Sequence, residues 1–294
     1  MILIMGASGM LGSATARLLM DRKLKIRLAT RERKRLQEFS AANVEIVKAD
    51  LRLPHSLQEA LAGVDTVIAC AHSLMGRGKN GSFDVDAKGH KILIDLCREY
   101  SVNHFIYIST TIPADAGSEF IRNKAAAEEH LMRSKLPFTI VKASAFMEMH
   151  IHKLMGEGIV ARNRATILGS GAAPTNYIAV ADLARLLLKI VELGPANQIV
   201  TAGGPDNLSK IEIARLYEKL IGKDIKLKFI PAKRVELMSQ IVRPFHAGIS
   251  RMLQMVAATD LLDLSVDASG TAHRYNIEFT PVEAFIKEKL MSRK

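Results

Sequence analysis

Gly6, Gly9 and Gly12 stand three residues apart at the seam between two unlike patterns. Before them runs an apolar stretch, residues 2–5; after them Leu11, Ala14, Thr15, Leu18 and Leu19 recur at the spacing of one buried helix face. A strand that turns sharply into a helix leaves backbone N–H groups unpaired and presents the positive end of the helix dipole. Both attract a pyrophosphate. Gly6 is expected to permit the tight turn, Gly9 to let the backbone approach the phosphates, and Gly12 to let the helix pack on the sheet. Ser8, Met10 and Leu11 share that turn and join the expected binding set. Glycines alone are a weak signal, whereas glycines between a strand and a helix are a good one.

A second group follows the next strand. Leu28-Ala29-Thr30 lead into Arg31-Glu32-Arg33-Lys34-Arg35. In a dinucleotide site an acid at this place accepts the ribose hydroxyls, while an arginine accommodates a 2′-phosphate. Thr30 and Arg31 are the expected contacts, with Lys34 or Arg35 helping one turn further on. Glu32 lies beyond Arg31 and faces solvent. The pattern favours NADP, with NAD as the alternative, and a solvated basic helix start as the plain structural reading.

These groups need a frame. Apolar, β-rich runs at 2–5, 25–29, 44–48, 66–71, 104–109 and 138–142 alternate with amphipathic stretches such as 86–100 and 119–134. The alternation predicts an α/β fold, a Rossmann-type doubly wound parallel sheet, with ligands beyond the carboxyl ends of its strands. After about Ala145 the rhythm loosens at Gly156, Gly158, Gly169, Gly171 and Pro174. A helix then runs to about Glu192 with Asp182 at its N-cap, and strands follow at 198–201 and 225–230. Ser209-Lys210-Ile211-Glu212 reads as a capping box, and Thr280-Pro281-Val282-Glu283 as a second one with proline at the first helical position. Residues 1–150 are thus expected to form a nucleotide-binding domain. Residues 151–294 would be a smaller C-terminal α/β substrate or partner lobe, with the strand and helix around 175–201 returning to the first.

In this order, Gly6-x-x-Gly9-x-x-Gly12, Ala49-Asp50-Leu51, Val85-Asp86-x-x-Gly89, Phe105-Ile106-Tyr107-Ile108-Ser109, Lys124-x-x-x-Glu128 and Gly204-Pro205 span nearly the whole chain. The chain resembles the atypical short-chain dehydrogenase/reductases of the NmrA-like, NAD(P)H-binding group, related to the isoflavone-reductase-like enzymes. The resemblance implies that Asp50 bonds the adenine amino group with Leu51 beside the ring. It puts the segment of Ala69, Cys70, Ala71 and His72 along the ribose and pyrophosphate. Ser109 and Thr110 would lie beside the nicotinamide, and the segment 142–146, with Ala143 and Phe146, would cover its carboxamide. The group usually reads Arg-Pro where this chain has Lys142-Ala143.

A larger departure concerns the catalytic pair. Classical members of the superfamily carry Tyr-x-x-x-Lys, in which lysine lowers the tyrosine pKa so that the hydroxyl exchanges a proton with the carbonyl. Here the stretch is Phe120-Ile121-Arg122-Asn123-Lys124, and phenylalanine has no proton to give. Lys124 keeps its place one helical turn on. It would bind the nicotinamide ribose, and in the isoflavone-reductase-like branch a lysine is the general acid/base. Thr110, Thr111 or a water would complete the proton path. Tyr107, inside a strand and turned to the core, is a poor substitute.

Composition bounds the rest. The 294 residues are 48% hydrophobic and carry a formal net charge of +11, which favours polyanionic partners without choosing among them. No run reaches membrane-spanning length, and two cysteines without metal or redox spacing suit a reducing cytoplasm. His150 and His152, two residues apart with no acid or thiol nearby, do not make a metal site. Met147, Met149, Met155, Met238, Met252 and Met255 read as core filler or as the lining of an adaptable apolar substrate pocket. The apolar stretch 246–264 reads equally as lid, dimer face or membrane-surface contact.

Two functions follow. One is an NADP-dependent oxidoreductase of a small apolar carbonyl, enone or quinone-like substrate, relying on Lys124 or water. The other is a non-catalytic NADP(H)-binding sensor, regulator or assembly subunit docking on a protein partner or a second copy. An extended sugar-nucleotide epimerase ranks last because it too needs the tyrosine, and nucleic acid is not the expected partner.

Overall fold

A computed structural model describes residues 1–292. The strands are β1 (Ile2–Met5), β2 (Ile26–Thr30), β3 (Val44–Lys48), β4 (Thr66–Ala69), β5 (His104–Thr110), β6 (Phe138–Ala143), β7 (Ala145–Phe146), β8 (Arg164–Leu168), β9 (Thr175–Ile178), β10 (Gln198–Ala202), β11 (Asn207–Leu208) and β12 (Lys226–Ile230). The α-helices are α1 (Met10–Asp21), α2 (Pro54–Leu61), α3 (His90–Glu99), α4 (Glu119–Arg133), α5 (Glu157–Arg162), α6 (Val180–Leu193), α7 (Lys210–Ile221), α8 (Ala232–Val242), α9 (Ala247–Thr259), α10 (Ser269–Tyr275) and α11 (Val282–Met291).

Contacts divide the chain into two units. Met1–Thr110, Glu119–Lys142 and Leu183–Val200 make the first; Thr111–Ser118, Ala143–Asp182 and the chain from Thr201 onwards make the second. In the first, the near-continuous apolar strands are what a sheet buried on both faces demands: Leu3, Ile4, Leu28, Val67, Ile68, Phe105 and Ile106 are wholly buried. Each such side chain contributes roughly 1.5–3 kcal/mol of burial. The seven-stranded sheet runs β10-β6-β5-β4-β1-β2-β3. β1 pairs in parallel with β2 on one side and β4 on the other, Ile2 facing Ile26 and Thr66. Strand order therefore reverses at β1, and the carboxyl ends of β1 and β4 bound the crevice where such folds take ligands.

Local structure departs from sequence expectation in instructive places. β4 stops at Ala69, because the chain beyond it crosses the glycine turn: a Cβ on Gly6 would stand 2.7 Å from the Ala71 Cα. The amphipathic stretch 86–100 is not one helix. A π-helical turn over Phe83–Gly89 precedes α3, and within it the Asp86 carboxylate accepts from Ser73 N (3.1 Å) and Ser82 Oγ (2.8 Å). After β2 the basic run makes only a 3₁₀ turn, Arg33–Leu36.

In the second unit β9 pairs with β7 in parallel and β11 antiparallel, and β8 pairs in parallel with β12. Met147, Ile151, Met155, Tyr177, Tyr217 and Phe285 share its core. The capping box at α7 forms: Glu212 N donates to Ser209 Oγ at 3.2 Å, and Ser209 N to the Glu212 carboxylate at 2.8 Å. The second one does not. Thr280 donates from N (2.6 Å) and Oγ1 (3.1 Å) to Asp182, so its hydroxyl is already engaged, and Asp206 caps Val282 N at 2.7 Å. Pro281 is the N-cap of α11, not its first helical residue. Asp182 likewise lies inside the first turn of α6, whose leading N–H, Val180, donates to Glu148 at 3.0 Å.

Candidate functional site

The glycine turn after β1 is built so that backbone alone faces the crevice. Gly6 has φ +85°, which a side chain rarely adopts, and a Cβ on Gly12 would fall 2.8 Å from the Ala7 Cα. Gly9 is the N-cap of α1, and a Cβ there would meet only Gly6 O, at 3.2 Å. The helix opens with no side-chain cap and no acidic residue in its first turn. Its leading N–H groups, from Met10, Leu11 and Gly12, suit an anion. Ser8 stands beside them, its Oγ accepting from Thr30 Oγ1 at 3.2 Å, which ties the ends of β1 and β2 together.

Beyond β2 and β3 lies a cavity of about 300 Å³ lined by residues including Arg31, Arg33, Lys48, Asp50 and Ser56. Arg31 Nη1 donates to Asn80 Oδ1 at 3.0 Å. Asp50 accepts from Arg52 N (3.0 Å) and Nε (2.9 Å), and the Arg52 guanidinium holds its carboxyl below the usual range, so the acid stays ionised. Leu51 is buried against Gly89, where a Cβ would stand 2.8 Å from the Leu51 Cβ. Glu32 is exposed and pairs with Arg35 at 3.2 Å, and Arg31, Arg33 and Lys48 are the cations that line the cavity.

The end of β5 faces α4 with a different material, buried charge. Lys124 is 7% exposed; its Nζ donates to Ile108 O at 2.7 Å and lies 5.0 Å from the Tyr107 ring and 5.5 Å from the Phe120 ring. Burial lowers its pKa, while the carboxylates of Asp86 and Glu128 and the Cys70 thiol act in the opposite sense. Ser109 donates to Glu128, whose other oxygen lies 3.3 Å from Lys142 Nζ. Tyr107 is wholly buried, as expected for a residue turned to the core, and its hydroxyl has no partner among the described residues. Its ring meets His90 edge-on at 5.1 Å. Phe120 meets the His72 ring at 5.9 Å, and burial pushes the Cys70 thiol up to about 12, which makes it unreactive.

Within the first unit the sequence-derived residues thus gather along three neighbouring edges: Gly6 to Gly12 after β1, Thr30, Arg31, Asp50 and Leu51 after β2 and β3, and Ser109, Thr110 and Lys124 at β5 and α4. Arg35 is drawn off to Glu32. Ala143 and Phe146 lie in the second unit, where Thr111 N donates to Ala143 O at 3.2 Å. Arg52, Asn80, Ser82 and Asp86 as a buried anchor went unread. Arg52 was discoverable, since it stands two residues from Asp50; Asn80 was not, being 49 positions from Arg31. The methionines divide: Met147 and Met155 are core, and Met238 is exposed. Among the described residues no group of three His, Cys, Asp or Glu side chains is placed to hold a metal, and no helix is long and apolar enough to cross a membrane.

A doubly wound sheet with a glycine turn at its switch point defines a Rossmann-type nucleotide-binding fold. Residues 1–286 match the NmrA-like family, and the chain belongs to it. It is 27% identical over 269 residues to the photosystem II assembly factor Ycf39 of Cyanophora paradoxa, covering 90% of this chain and 82% of that one. It is 26% identical over 229 residues to an NAD(P)H azoreductase of Xenophilus azovorans, covering 77% and 76%. Among solved structures, the NADPH-dependent quinone oxidoreductase QOR2 of Escherichia coli, complexed with NADPH, superposes with a TM-score of 0.79 at 18% identity, covering 99% of this chain and 100% of that one.

Proposed function

We propose that this chain binds NADP(H) along those edges and uses it to reduce a small apolar carbonyl, enone or quinone-like acceptor. The glycine turn fits a pyrophosphate, because side chains are excluded from it by contact with Ala71 and Ala7. The cations lining the adenosine-side cavity favour a 2′-phosphate. When bound, the reduced nicotinamide would supply the hydride.

The observation that carries the reading is Lys124. An ammonium has three donors, and this one commits a donor to Ile108 O from a buried position at the end of β5. The others suit the ribose hydroxyls. Its lowered pKa moves Nζ toward the range in which a general acid works near neutrality, so Lys124 holds the proton that Phe120 cannot, with the Thr110 hydroxyl or a water beside it. Within the second unit, half-buried Met149, Met252 and Met255 are adaptable apolar surface. The two free cysteines suit a reducing cytoplasm.

Phe120 also favours a second reading, a non-catalytic NADP(H)-binding assembly or sensor subunit. Its ring occupies the turn of α4 where a proton donor would be. The similarity to an assembly factor supports it, with a protein or a second copy as partner. Titration with NADPH and NADH, followed by absorbance of the reduced nicotinamide with quinones, enones and aldehydes, separates the two. Substrate-dependent oxidation that is lost in Lys124→Ala supports the reductase. Tight binding without turnover across the panel supports the scaffold.

A further inference from the structure

An amphipathic helix on a folded unit turns its apolar side inward. Helix α8 keeps that rule with Val235, which is buried along with Ser239, and then breaks it on the opposite side. Leu237 is 56% exposed, Met238 40% and Ile241 60%, and Phe245, in the turn that leads to α9, is 79% exposed. Residues 237 and 241 are one helical turn apart, so their side chains share a face. The chain around them is basic: from Lys223 to Phe245 there are six lysines and arginines against two acids. Lys226, Lys228, Lys233, Arg234 and Arg243 are all exposed. α8 packs on α9, so its outward stripe is presented from a fixed support.

We propose that α8 and the turn after it are a docking element for the surface of an anionic bilayer, lying in the headgroup plane. The combination is what such a surface selects: apolar side chains on one face to enter the acyl boundary, and cations flanking them to meet anionic headgroups. An eleven-residue helix is about 16 Å long, enough to lie on a bilayer and far too short to cross one. Pairing with a second copy is disfavoured by the same charges, since a two-fold interface would set one basic patch against its twin.

The full chain is sedimented with vesicles of phosphatidylcholine alone and of phosphatidylcholine mixed with phosphatidylglycerol. Binding is expected to the mixed vesicles and not to the neutral ones, and Ile241→Ser with Phe245→Ser should weaken it at least tenfold. Lys233→Glu with Arg234→Glu should remove the preference for the anionic lipid. Both variants change exposed side chains, so their urea unfolding midpoints should match the parent's. Absence of binding to the mixed vesicles, undiminished binding by the serine variant, or a dimer that Ile241→Ser dissolves would each overturn the proposal.

Discussion

The two ends of the candidate site in the first unit are made of different things. The turn after β1 is made of backbone: glycines at 6, 9 and 12 clear space, and an uncapped helix start supplies donors. The edge between β5 and α4 is made of buried side chains: Ser109 donates to Glu128, and burial lowers the Lys124 pKa against the opposing charges of Asp86 and Glu128. The first is a shape fixed by sterics and indifferent to pH. The second is a balance of charges, and such balances shift with the medium.

Substitutions can widen that contrast. Gly12→Val should be the most damaging, since its Cβ alone would press on Ala7 and the Gly6 carbonyl; about 3 kcal/mol of stability should be lost, read from the urea midpoint. Gly9→Val should cost much less stability, about 1 kcal/mol, while abolishing binding of both nucleotides, because its Cβ would meet only Gly6 O, at 3.2 Å. Equal damage to both functions in both variants would collapse the distinction between packing glycine and ligand-facing glycine.

On the other edge, Lys124→Ala should lower turnover about 100-fold, the usual scale for a lost acid–base group. The same rate in the variant would move the proton to water or Thr110. Acidification should also weaken the unit. Burial pushes the pKa of His90 down to about 3 and that of His104 to about 4, and both side chains are essentially inaccessible. The unfolded chain takes up protons below about pH 6.5 that the native state refuses, so their contribution is complete above that value and is lost as pH falls toward 4. Between pH 7 and 5 each should cost about 2 kcal/mol, measured as the change in unfolding free energy, and His104→Gln should flatten the profile. Arg31→Glu should have the smallest effect: roughly tenfold weaker NADPH with NADH less affected. Equal weakening of both would remove Arg31 from the phosphate clamp.

The same contrast governs what could be read from the residues alone. The glycine turn and the strands of the parallel sheet follow from spacing and periodicity, because they depend on neighbours in sequence, whereas Lys124 is singled out only by the resemblance to Tyr-x-x-x-Lys enzymes. The Ser209 capping box is local and was legible. Thr280 shows the opposite case. Its pattern promised a closed local cap, but Asp182, 98 positions away, took the hydroxyl, and Asp206 took the helix N–H. Asn80 holding Arg31, and Ser73 anchoring Asp86 in a widened helical turn, are likewise products of chain reversal. Periodicity carries no trace of them.

The order in which the sheet is stitched has a cost in time. β6 ends at Ala143, and its outer neighbour β10 begins only at Gln198, after the chain has made β7, β8, β9, α5 and α6. On the ribosome, the 54 residues between them take roughly 3 to 10 s to appear at ordinary elongation rates. Through that interval the nascent sheet has an open parallel edge at β6, with unpaired N–H and C=O groups available to any other extended chain. Expression yield should therefore respond to slower elongation or to chaperone supply more than the finished protein's stability would suggest.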